Sequence, residues 1–266
     1  MNKTRVLNLN KINIKEFVRT KKVVVCFCFL LALTFLGIVI AFVFNYIHNN
    51  IDLSQYEAIN NFLSVLNTTI PHNIKDYSSL YCSQIVTMYS LLCFLVFSKI
   101  IPDEISKGKW IFPINYGYKQ SEIIISKAFV YALFSCLPIT PLFFAYHFSL
   151  QLMFEGENYK FLELLGRCML LFFDEFCIIS LAIVLSSKKQ YIVFLISLFS
   201  YFAIMPDMLS FLPFKQYLPT FVYTYLYLNG SIDWKLSIPI FENIAVYSLI
   251  LTLCLVHSTK INVNER

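Results

Sequence analysis

The chain has 266 residues, of which 58% are hydrophobic and only 14% charged, with a formal net charge of +5. A water-soluble domain of this length does not carry so little charge, so the composition excludes that class and makes the bilayer the solvent. The positive charge is explained by membrane topology, and no nucleic-acid partner is read from it.

Residues 1–22 come first, as a cytoplasmic amphipathic segment. Leu7, Ile14, Phe17 and Val18 recur at helical spacing, with Lys11, Lys15 and Arg19 toward the polar side. This predicts a basic helix lying on the membrane surface. A disordered basic tail that only enforces topology is the alternative.

Six apolar runs follow, at 23–46, 80–101, 128–150, 164–185, 191–205 and 238–256. A helix needs about 20 apolar residues to cross the hydrocarbon core. Five runs reach or approach that length, and the fifth is short and ends at Pro206. The first run is too long for the apolar region of a signal peptide and no small-residue cleavage site follows it, so it is expected to remain as a span. The expected fold is all-α: a single six-span domain over 23–256, with a cytoplasmic tail at 257–266.

Lysine and arginine set the orientation. Sixteen lie in the first segment, the second and fourth connectors and the tail, against five in the other connectors and span ends. Both termini are therefore expected in the cytoplasm. The first outer loop, 47–79, is long and has a possible short helix near 53–66, whereas 151–163 is short and acidic. Asn67 and Asn229 head glycosylation patterns on the outer side. Residues 207–230 are aromatic and apolar but broken by Pro213 and Pro219. Such backbone at membrane depth must be buried in protein or line a cavity, so two short re-entrant outer helices are expected there.

Recognisable catalytic and metal motifs are absent. The six glycines are isolated, so there is no phosphate loop; the four histidines, 48, 72, 147 and 257, form no metal motif; and no nucleophile elbow occurs. The chain is expected not to be an enzyme. All eight cysteines lie in or beside apolar runs and none forms a CxxC. They read as small packing residues, neither disulfides nor metal ligands.

Asp174 and Glu175 sit at the centre of the fourth run. An ionisable group at that depth costs about 2.5–3.5 kcal/mol on insertion scales, so it should be paired or face a bundle interior. Adjacent side chains diverge by about 100°, so the two cannot point the same way. Glu163, Arg167 and Asp174 share a face and could form a polar stripe running inward. The stripe either lines a translocation path or an interhelical contact, or Asp174 is a neutral hydrogen-bonding acid.

The connector at 102–127 is too long for a tight turn and mixes charged with apolar residues. Asp103 and Glu104, then Gly108, Pro113, Lys119 and Lys127 follow one another there. In that motif, and in its layout over essentially the whole chain, the protein resembles the permeases of ABC-2-type transporters. The resemblance implies a cytoplasmic coupling helix between spans 2 and 3. It also implies a separate ABC ATPase, expected in two copies, and a second permease copy or homologue. ATP and magnesium would be held by that ATPase, with no cofactor bound directly by this chain. Trp110, Ile111 and Phe112 would supply an apolar anchor for the ATPase, and Asp103, Glu104, Lys107 and Lys109 a charged rim.

By family analogy such permeases export peptide antibiotics, or confer immunity to them, from a bacterial plasma membrane. The expected function is thus movement of a peptide, drug or lipid-like substrate. The alternative is a non-transporting membrane protein of the immunity, sensor or interaction kind.

Overall fold

The computed structural model describes residues 3–50, 81–97, 99–154 and 161–186, with the single residues 74, 77, 78, 245, 248 and 249. Every regular element among them is helical, and four helices are long and apolar enough to cross a membrane. The chain is a helical membrane protein. The runs at 191–205 and 238–256, apart from Ala245, Ser248 and Leu249, lie outside the described residues. So do residues 53–66, the glycosylation patterns, and the expected re-entrant helices.

Helix α1 (Lys3–Arg19) runs into α2 (Lys21–Asn50) through Thr20 alone. Thr20 caps the joint by donating its hydroxyl to the Glu16 carbonyl at 2.6 Å. Little of α2 is covered, and Val24, Phe27, Leu31, Phe35 and Phe42 all face outward. Exposed apolar side chains in such numbers suit lipid, where burying them elsewhere gains nothing. At Gly37 the helix approaches its neighbours closely, and a Cβ there would lie 2.8 Å from the Ile85 side chain and 3.0 Å from the Tyr146 ring.

The second span opens with a π-helical turn, Tyr81–Val86, which passes into α3 (Thr87–Phe97) and then α4 (Ile100–Ser106). Pi-helical turns are rare and widen a helix locally. Here the turn places Tyr81 in an aromatic cluster, with ring centroids 4.6 Å from Tyr146 and 5.9 Å from Phe143. Span 2 thus projects beyond its apolar run, through residue 106, and carries the start of the connector on helix.

Two glycines shape the rest of the connector. Gly108 has φ +68 and follows α4; Gly117 has φ +81 and follows α5 (Ile111–Asn115). In the first turn the amides of Gly108 and Lys109 donate to the carbonyls of Ile105 and Glu104, both at 3.0 Å. In the second, Gly117 and Tyr118 donate to Ile114 and Pro113 at 2.8 and 3.0 Å. Both are Schellman turns, in which a left-handed residue lets the chain reverse while closing orphan helix carbonyls. The connector is therefore a folded knob.

The third span begins earlier than its apolar run. Helix α6 (Gln120–Cys136) starts where the Glu122 carboxylate accepts the Lys119 amide at 3.1 Å, and α7 (Ile139–Met153) continues it past Pro138. Pro138 and Pro141 lack the donors that would bond one turn back, so the path breaks there. The stretch Gln120–Met153, with the joint included, covers 34 residues. At 1.5 Å per residue that is about 50 Å, longer than a bilayer core. Helix α8 (Phe161–Ser186) packs chiefly along α6 and also against α3, which makes it the most buried of the four described spans.

Candidate functional site

The charged residues of the connector meet the N-terminal helix. Lys127, on α6, donates to Glu104 Oε1 at 2.6 Å and to Glu16 Oε2 at 2.8 Å. Lys109 donates to the other Glu16 oxygen at 2.7 Å, and the Trp110 indole N–H donates to Glu104 Oε2 at 3.0 Å. The result is one chain of contacts, Lys109–Glu16–Lys127–Glu104–Trp110, tying α1, α4, the connector and α6 together. Lys127 and Glu104 are buried, whereas the Lys22–Asp103 pair is half exposed and 3.6 Å apart. Buried pairs hold their geometry because breaking one strands a charge; exposed pairs contribute little.

A second polar contact runs beside the first. Asn13 donates to the Ser126 hydroxyl at 2.7 Å, and Ser126 donates to Asn10 at 2.6 Å. Phe17 then packs edge-on against Tyr131, with centroids 5.0 Å apart. The buried side of α1 is accordingly Leu9, Asn13 and Phe17, one turn apart each, while Leu7 and Val18 are exposed. The expected apolar residues divide: Phe17 docks on protein beside Asn13, Ile14 is half-buried, and Leu7 and Val18 stay exposed among cations.

Electrostatics follow from these contacts. Burial alone would raise the pKa of Glu16, but hydrogen bonds from Lys109 and Lys127 together with their charges hold it below its ordinary 4.5. The hydrogen bond to Glu16 raises Lys109 above its ordinary 10.5, against a smaller opposing effect of burial.

The expected apolar anchor divides in two. Trp110 is buried within the chain and braces the connector from inside, so it is not presented outward. Ile111 and Phe112 are exposed, and so is Tyr116, at 77%. Phe112 and Tyr116, four residues apart, fall on one side of α5. Glu104 likewise leaves the expected charged rim, because it is buried under Lys127. Lys107 and Lys109 remain on the surface, Asp103 and Pro113 are half-buried, and exposed Lys119 caps α6.

Arg167, Asp174 and Glu175 are all buried, and Glu175 Oε1 accepts from the Ser90 hydroxyl of α3. Neighbouring acids both find protein because α8 is enclosed on more than one side. His147 donates its Nδ1–H to the Phe143 carbonyl at 2.8 Å. Ser248 lies 3.8 Å from Cys177, one turn beyond Asp174, which brings part of the sixth run beside these acids. Glu163 stands in the first turn of α8; its side chain lies outside the described residues.

No cluster among the described residues could hold a metal ion, and the six cysteines described are free. The roles of Glu16 and Lys127 went unread in the sequence. Glu16 did carry a signal, as the only acid in the first 51 residues. No family model matches this chain, and no curated protein matches it.

Proposed function

We propose that the chain is the six-span permease subunit of an ATP-driven ABC transporter, moving a peptide, drug or lipid-like substrate across a plasma membrane. A separate ATPase drives it through the 102–127 connector. The observation that carries this reading is the knob itself: a short helix held between two Schellman turns, clamped from within, and presenting Phe112 and Tyr116 outward. An interface concentrates its energy in a few aromatic anchors, and an anchor transmits force only if its base is rigid. Through Glu104 and Lys127 the base of this knob is bonded to spans 2 and 3. The lysine and arginine distribution supports a cytoplasmic position for it. The buried Arg167, Asp174 and Glu175 on α8 are the candidates for a polar lining.

The test is purification of the tagged chain from its native membrane, followed by assay for bound ATPase. A stoichiometric ATPase that is lost with Phe112→Asp supports the reading. Retention of the chain in the membrane with no ATPase bound to the native protein refutes it, and leaves the immunity or sensor role.

A further inference from the structure

Between α1 and the connector lies a cleft of about 870 Å³. Its lining carries five cations, Lys15, Arg19, Lys107, Lys109 and Lys127, against two carboxylates, Glu16 and Glu104. Both carboxylates are already engaged by Lys109 and Lys127. Lys15, Arg19 and Lys107 are exposed and form no ion pair among the described residues. The cleft is thus an anion site by charge.

Its depth narrows the choice of anion. Lys127, at its inner end, immediately precedes the apolar run of span 3, and Arg19 lies four residues before that of span 1. Both therefore lie at the boundary where hydrocarbon gives way to headgroups. Ile12 lines the cleft, and exposed Leu7 and Val18 lie on another side of α1, side chains that suit the acyl boundary.

We infer that this cleft binds the phosphate headgroup of an anionic membrane lipid, with Lys15, Arg19 and Lys107 as its cationic contacts. The lipid's acyl chains stay in the leaflet while its phosphate enters the cleft. The site needs neither an ATPase nor a transported substrate, although Phe112 and Tyr116, assigned above to ATPase docking, line the same cleft.

Full-length protein in neutral detergent, titrated with phosphatidylglycerol or phosphatidylcholine and read by native mass spectrometry, tests this. The native chain should retain phosphatidylglycerol in preference. Cations near a membrane surface contribute about fivefold each, so Lys15→Gln with Arg19→Gln and Lys107→Gln should weaken retention about a hundredfold. The control, Lys11→Gln with Lys21→Gln and Lys99→Gln, removes the same charge outside the cleft lining and should leave the preference largely intact. All six side chains are exposed, so both variants should unfold at the native temperature. Equal losses in both would overturn the site in favour of diffuse surface charge. Displacement of the lipid by equimolar inorganic phosphate would reassign the cleft to a soluble phosphate compound. Tighter binding of a polyglutamate peptide than of the lipid would reassign it to an acidic protein segment.

Discussion

Lys127 and Glu104 form a 2.6 Å salt bridge in which the two side chains are only 5% and 7% exposed. Lys127 is the last residue before the apolar run of span 3, and Glu104 lies in the helix that prolongs span 2. Their contact fixes the separation of the two spans at the point where the connector begins. Removing either partner alone strands the other charge in protein. Lys127→Met should lower stability by about 3–5 kcal/mol. Combining it with Glu104→Leu should recover much of that loss. Thermal unfolding of the single and double variants in detergent measures the coupling, and strictly additive losses would rule the pair out.

The Glu16 contacts make α1 docking pH-dependent. Glu16 has a lowered pKa in the folded chain, so its contribution is present above its ordinary 4.5 and fades as pH falls through the folded value. Lys109 has a raised one, so its contribution is complete below its ordinary 10.5 and fades as pH climbs through the folded value. A reporter on α1 should therefore show docking across the intervening range and release at the acid end. Glu16→Gln should be released across the neutral range as well. A reporter in that variant that titrates like the native one would dismiss the acid as the trigger.

Trp110 and Phe112 should separate folding from docking. Trp110→Phe keeps most of the buried ring and loses the indole donor to Glu104, a charge-assisted bond worth about 1.5–3 kcal/mol. It should lower thermal stability. Phe112→Asp touches an exposed ring and should leave stability unchanged while abolishing ATPase association. Melting temperature and co-purification yield, measured on both, check the assignment. A Phe112→Asp protein that binds its ATPase normally would remove α5 from that interface.

The intramembrane acids should differ from one another. Glu175→Gln keeps an acceptor for Ser90 and should be close to silent, whereas Glu175→Leu removes it and should cost about 1–3 kcal/mol. Asp174→Asn preserves shape and polarity but not charge. If Asp174 lines a path for a cationic substrate, that variant loses transport at normal abundance. Full transport with Asp174→Leu at native yield would eliminate the residue from both roles.

The sequence disclosed what a strong periodicity or length could encode. The first four apolar runs lie on helices, because only internally bonded backbone survives in lipid. The two connector glycines sit where the chain reverses. The docking face of α1 stayed hidden because two of its contacts, Asn10 and Asn13, are polar, and an apolar stripe cannot flag them. The start of α6 at Gln120 was obscured in the same way, since its first eight residues include Gln, Ser, Glu and Lys. Lys127 resembles any lysine at a span end. Only its two carboxylates, 23 and 111 residues away in sequence, give it another meaning. A lone tryptophan in a charged loop has no local feature to bury it, so the sequence alone reads Trp110 as outward.

The one-residue joint at Thr20 makes α1 a lever. Its 17 residues extend about 25 Å at 1.5 Å per residue. The arm is held near its root by Glu16 and further out by Asn10 and Asn13 on Ser126. Once the Ser126 contacts are released, rotation at the joint by about 10° would carry the far end of this arm through about 4 Å. Motion of the connector would then be magnified along the N-terminal arm, and a spin label near Leu7 paired with one on α2 would read it as a change in distance.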